Sequence, residues 1–256
     1  QGPNFCTGPG GAVCAAKLHA GGGRFGRGAQ SPFAFFGAFF SGGYGKIGQE
    51  ISHPCVRGRV FVHQQELKTP GRVLDGRGII HPGWAARPVQ VYRRADIKAS
   101  PLRIKEWDFY QVSDREKCLQ FTFGHASYAG QAGIMLFDFQ NGKMIADINK
   151  IIPFPFGRLH LPESAETDSD IAYDKQGVHL RFKTEGSTRF LSFSAPDFEA
   201  NITLERTMPF SAVVQTPFRE SPRMFYYNQK INCMTARGRA VYKGQAYTFG
   251  EDAFGL

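Results

Sequence analysis

From Gln90 onward, apolar and polar residues alternate with period two in short runs, broken about every 8 to 12 residues by clusters of Gly, Asn, Asp and Ser. Helical periodicity is scarce. The pattern predicts antiparallel strands near residues 105–112, 117–127, 131–140, 143–152, 178–184, 188–194, 200–207, 224–235, 237–243 and 246–249. A hairpin is predicted from Gly133 to Phe139, through Gln140-Asn141-Gly142-Lys143, to Met144 and on to Ile152. Asn-Gly there supplies the positive φ angles of a type I′ turn. Further turns are predicted at Asp174-Lys175-Gln176-Gly177, Glu185-Gly186-Ser187 and Lys243-Gly244-Gln245. So many strands protect their edges only by closure or by packing, so the predicted fold class is all-β, an antiparallel barrel or sandwich.

Residues 1–62 break this pattern. They hold half of the 30 glycines and a single acid, Glu50, and they lack hydrophobic periodicity. Such a segment buries too little surface to offset its ordering entropy, so residues 1–62 are expected to be a disordered or foreign Gly-rich leader. Residues 63–256 are the expected β-barrel-like domain. The apolar run from Ser31 to Phe40 is shorter than the about 20 residues that span a bilayer, so no transmembrane segment is expected.

The net charge of +9 changes little once it is located. Residues 1–62 carry six Lys/Arg and one acid, residues 63–100 carry seven and three, and residues 101–256 carry eighteen of each. A neutral folded body does not make a phosphate-binding surface, so no nucleic-acid partner is expected. Five cysteines, odd in number and without a C-x-x-C pair, signal neither a disulfide framework nor a metal site. A cytoplasmic location is expected, with no cofactor and no metal.

Gly21-Gly22-Gly23-Arg24-Phe25-Gly26 fits a dinucleotide fingerprint by spacing, but no strand precedes it and no helix follows. No G-x-S-x-G, H-E-x-x-H or P-loop occurs. The tract from Pro162 to Asp170 reads as an acidic surface loop. Candidate chemistry gathers in Arg103-Ile104-Lys105-Glu106-Trp107-Asp108-Phe109-Tyr110. Period two puts Lys105, Trp107 and Phe109 on one face and Glu106, Asp108 and Tyr110 on the other. Glu106 and Asp108 are candidates for a catalytic carboxylate pair, with Tyr110 as proton donor. The plainer expectation for same-face charges is a solvated or inter-domain surface. Leu119, Phe121, Phe123 and His125 form a second alternating face, expected to point inward with Trp107 and Phe109. His125 is then either a proton-transfer group or a core histidine satisfied by a carbonyl.

Several stretches resemble the family catalogued as domain of unknown function 2804. They are Gly83-Trp84-Ala85-Ala86-Arg87-Pro88, Lys105 to Tyr110, Tyr128-Ala129-Gly130 leading to Asp138-Phe139, Leu159-His160-Leu161-Pro162, Ser194-Ala195-Pro196-Asp197-Phe198 and Tyr247-Thr248-Phe249-Gly250-Glu251-Asp252. The resemblance spans about Gly83 to Leu256. It implies a lipocalin-like β-domain, distantly similar to carotenoid hydratases and tocopherol cyclases, and the first of two such domains. The partner it implies is therefore the chain's own C-terminal domain beyond Leu256. Lipocalin-like barrels enclose one small apolar ligand, which suits a chain with 24 Phe. The expected function is binding of a hydrophobic small molecule, and hydratase, cyclase or isomerase action on it. Trp107, Phe109, Phe121, Phe123 and His125 are the expected ligand-binding residues. The alternative is a non-catalytic lipid-binding or scaffold protein, and the residues leave both open.

Overall fold

The computed structural model describes residues 65–256 except residues 127 and 219, so the expected leader over residues 1–62 lies outside the described residues. Alternation of side chains turns into two meanders. The first is β4 (Lys105–Ser113), β5 (Lys117–Ala126), β6 (Ala129–Asp138) and β7 (Lys143–Pro153). The second is β8 (Ser169–Lys175), β9 (Val178–Glu185), β10 (Thr188–Ala195) and β11 (Phe198–Glu205). They join in one antiparallel sheet through β14 (Met234–Tyr242) and β16 (Phe254–Gly255), in the order β7-β6-β5-β4-β16-β14-β11-β10-β9-β8. The hairpin strand β15 (Gln245–Phe249) also pairs with β14. The expected all-β antiparallel class is what forms, as a curled half-barrel whose edge strands are β7 and β8.

The remaining strands pair outside that sheet. β1 (Gly71–Arg72) pairs in parallel with β3 (Gln90–Val91). β2 (Gly83–Ala85), β12 (Ala212–Phe218) and β13 (Ser221–Lys230) form a three-stranded sheet in the order β13-β12-β2. Small apolar clusters sit beside these strands, Leu67, Ala85 and Val213 in one and Val73, Leu74 and Ile80 in another. The predicted list lacked β8, β12 and the two- and three-residue strands β1, β2, β3 and β16, and its strand 224–235 runs across the break between β13 and β14.

Turn chemistry sets the registers. Gln176-Gly177 and Lys243-Gly244 each take two positive φ angles, 59° and 71° in the first and 49° and 81° in the second, which suits two-residue primed turns. At Asn141-Gly142 the expectation fails. Asp138 pairs with Lys143 across a four-residue loop, and positive φ falls on Gly142 alone. The Asp138 carboxylate accepts from the Asn141 backbone N–H at 3.1 Å and from its Nδ2 at 2.6 Å, which holds Asn141 out of the left-handed region.

The curl lays the inner face of the first meander against that of the second. Register gives four inner rows across β4 to β7: Glu106, His125, Gly130, Ile152; Asp108, Phe123, Ala132, Lys150; Tyr110, Phe121, Ile134, Ile148; and Val112, Leu119, Leu136, Ala146. The last row is wholly buried core, and polarity rises toward the first. Phe182 of β9 lies at the centre, with its ring 5.0 Å from Tyr110, 6.1 Å from Phe121 and 6.4 Å from Phe123. The interior is therefore filled by aromatic side chains. Phe182→Ala is expected to cost about 3–5 kcal/mol in urea unfolding. A loss below about 1 kcal/mol would show that the two meanders do not pack on each other.

Candidate functional site

The site begins with the phase between β4 and β5. Residues 114–117 make an even-length connection, with Ser113 opposite Cys118, so even positions of β4 face odd positions of β5. Glu106 lies opposite His125, Asp108 opposite Phe123 and Tyr110 opposite Phe121. The expectation that Glu106, Asp108 and Tyr110 form a solvated or inter-domain surface is corrected here, because they line the inner face. So is the expectation that Trp107 and Phe109 share a wall with Phe121, Phe123 and His125. Trp107 lies opposite Gly124 and Phe109 opposite Thr122, on the outer face, where the Trp107 ring stands 6.4 Å from Tyr226 of β13. Alternation fixes the two faces of one strand; the turn fixes which faces of two strands agree.

Glu106 takes two donors and stands beside an imidazole. Tyr92 donates its hydroxyl to Glu106 Oε1 at 2.7 Å. Its ring stacks 5.4 Å from Tyr227 at 11°, which anchors it among Val73, Leu74 and Ile80. Burial pushes the Tyr92 phenol up to about 12, so it remains a donor. Arg94, in a 3-10 turn over Arg94–Asp96, forms a salt bridge with Glu106. His125 Nε2 lies 3.4 Å from Glu106 Oε2 and 3.5 Å from Arg94 Nη1. The imidazole is 1% exposed. Burial first, and the Arg94 charge second, push its pKa down to about 4, so it is neutral at pH 7.

A strap, residues 154–168, crosses from edge strand β7 to edge strand β8 and covers this cluster. The Phe154 N–H donates to the Tyr128 carbonyl at 2.7 Å, and Leu159 and Leu161 pack against the core. Arg94 donates its backbone N–H to Glu163 Oε1 at 2.8 Å. Buried Arg189 donates to the Ala165 carbonyl at 2.8 Å, and Arg206 pairs with Glu166 at 2.7 Å. The tract 162–170 is thus a pinned closure, and its last residues, Ser169 and Asp170, belong to β8. Phe154, Phe156 and His160 hold φ of 48°, 43° and 51°, at a cost of roughly 1–2 kcal/mol each. Gly157, at φ 81°, passes so close to Arg94 that a Cβ would stand 2.9 Å from Nη2.

Beneath the strap lies a cavity of about 160 Å³, with Arg94, Glu106 and His125 on one wall and Gly157, Leu159, His160, Leu161 and Glu163 of the strap on the other. Deeper along β4, half-buried Asp108 has its carboxyl pushed by desolvation from 3.8 up to about 7. Tyr110 is raised further, by burial and then by the Asp108 charge. The inner wall thus offers a neutral imidazole, a carboxyl that exchanges its proton near neutrality, and a phenol. Among the described residues no cluster of His, Cys, Asp or Glu suits a metal ion, and no helix is long and apolar enough to cross a membrane.

Tyr92, Arg94 and Glu163 were missed by sequence reasoning. Tyr92 and Arg94 lie in an aperiodic stretch, and their role depends on Glu106, more than ten residues away, and on Glu163, 69 residues from Arg94. The Leu159-His160-Leu161-Pro162 match was the one local signal, and it falls on the strap.

Opposite pH dependences follow from the two shifts. The folded chain keeps a proton on Asp108 that the unfolded chain releases, so that contribution to stability is present below pH 3.8 and lost as pH rises to about 7. The His125 contribution is present above pH 6.5 and lost as pH falls to about 4. Asp108→Asn removes the first arm alone. In urea unfolding the variant is expected to gain on the wild type between about pH 5 and about pH 8. A stability difference that stays constant with pH would show that Asp108 is solvated.

No curated protein and no solved structure matches the chain. A family model does, over residues 64–256, which takes in the described sheet, the strap and every residue of the cavity wall. The chain therefore belongs to the family described as Domain of unknown function (DUF2804).

Proposed function

We propose that the chain binds one end of a small, mainly apolar molecule in the cavity beneath the strap, and that Asp108 and His125 exchange a proton with that end. The observation that carries this reading is the cavity that Glu106 and His125 share with Leu159 and Leu161 of the strap, with Asp108 in the next row of the same inner face. A cavity of about 160 Å³ is below the 300–1,000 Å³ of a typical whole-ligand pocket and near the size that takes a benzene ring. One end enters and the remainder lies outside. A carboxylic acid that keeps its proton near neutrality, opposite Phe123, suits protonation of a carbon–carbon double bond. Hydration, cyclisation and isomerisation of an isoprenoid- or lipid-like substrate share that step.

The second reading is a non-catalytic lipid-binding or scaffold protein. Its scaffold form is favoured by an interior that Phe121, Phe123 and Phe182 fill, which leaves no room there for a ligand.

Mass spectrometry of small molecules extracted from the purified chain tests both. On the enzymatic reading, wild type carries a substrate and its product, whereas Asp108→Asn and His125→Gln carry substrate alone and remain folded. Identical contents in all three proteins would leave binding without catalysis. If no apolar molecule is enriched over a control protein, the proposal fails in both forms. His125→Gln is also expected to lower stability by about 1–3 kcal/mol through the disturbed buried contacts.

A further inference from the structure

The strap has an outer side that the cavity does not use. Tyr128, Phe154 and Phe156 are 62%, 58% and 39% exposed. They are contiguous, since the Phe154 N–H bonds to the Tyr128 carbonyl and the Phe154 and Phe156 rings stack with centroids 5.9 Å apart. Left-handed backbone at both phenylalanines turns the chain at positions where a β-region residue would carry no strain. Neither segment that builds this lip holds an acid: none occurs from Gly124 to Phe137 or from Ile148 to Pro162. Arg158 is exposed, and its guanidinium is held by the carbonyls of Phe154 at 2.7 Å and Pro155 at 3.2 Å. No carboxylate among the described residues forms an ion pair with it, so its charge is not neutralised. Lys105, also exposed, lies opposite Ala126, two residues before Tyr128 in the chain.

We propose that the lip of Tyr128, Phe154 and Phe156, flanked by Arg158 and Lys105, seats the chain on a membrane surface that carries anionic phospholipid. Exposed aromatic rings enter the headgroup region, and cations without local acids pair with phosphate and carboxylate headgroups. The lip borders the cavity directly, because Gly157 follows Phe156 and lines it. An apolar molecule leaving the bilayer at the lip would meet the cavity without crossing water. That role as an entry route rests on the function proposed above, whereas the docking surface does not.

The test is flotation of the purified full chain with vesicles of phosphatidylcholine alone and with about 30% phosphatidylserine. Wild type is expected to float with the anionic vesicles. The double variant Phe154→Asn, Phe156→Asn is expected to lose that binding about tenfold or more, because asparagine tolerates the left-handed backbone while removing both rings. Lys105→Gln is expected to weaken it several-fold, and melting temperatures are expected to stay near wild type. Glu106→Gln, which disturbs the cavity, should float like wild type, so failure of the cavity reading is separable from failure of this one. Absence of wild-type binding, or equal binding by the double variant, overturns the proposal. So does light scattering that shows a wild-type dimer without vesicles and a monomeric double variant, since the lip would then join two copies.

Discussion

The pairing of β4 with β5 governs what the inner face can do. Glu106 stands opposite His125 because the connection between the strands has even length, and a slip of one residue would exchange every side chain between faces. Slipped, the inner wall would hold Trp107 and Phe109, and Glu106, Asp108 and Tyr110 would face outward. Two contacts hold the observed register. Tyr110 and Phe121 meet Phe182 on the inner side, and on the outer side Gly124 leaves room for Trp107, whose Cβ would lie 2.4 Å from any Cβ added there. A bulkier residue at position 124 would separate the two strands at the point where the acid–base groups meet.

Given that register, the cluster follows from an uneven distribution of polarity along four rows. The row at Val112 is closed and apolar, so it supplies the packing that carries the less favourable rows above it. Asp108 stands in the second row beside Phe123, where desolvation is offset by proton uptake. Glu106 stands in the first row, where Tyr92, Arg94 and His125 reach it from a separate small core, the 3-10 turn and the neighbouring strand. The strap then joins the two sheet edges. Its left-handed residues are tolerated because Arg158, Arg189, Arg206 and Glu163 fasten it at both ends.

The sequence announced the meanders better than the site. Strands β4 to β7 and β9 to β11 alternate cleanly and were legible, as were the turns at Gln176-Gly177 and Lys243-Gly244. The acidic-loop reading took in only Ser169 and Asp170 of β8, and no strand was predicted over 171–173 because Ile171 and Tyr173 are its only large inward apolar residues; β12 carries Pro217. The Asn141-Gly142 turn misled because Asp138 supplies a competing hydrogen bond. At the site, Glu106, Asp108, Tyr110, Phe121, Phe123 and His125 were picked out individually, and the faces of each strand were right. Their combination was wrong for Trp107 and Phe109, since local periodicity carries no information about phase between strands. Arg94 and Glu163 were out of reach, because their roles arise from contacts between distant segments.

The central claim is that the curl and the strap bury His125 between Arg94 and Glu106. The most direct measurement is a pH titration of the imidazole ring by NMR, with His125→Gln used to identify its signals among the seven histidines. The account predicts a neutral ring through the physiological range, with a midpoint near 4. A midpoint at 6.5 would contradict it and would mean that His125 is solvated, and a midpoint above 6.5 would contradict it by showing that the Glu106 carboxylate outweighs burial and Arg94.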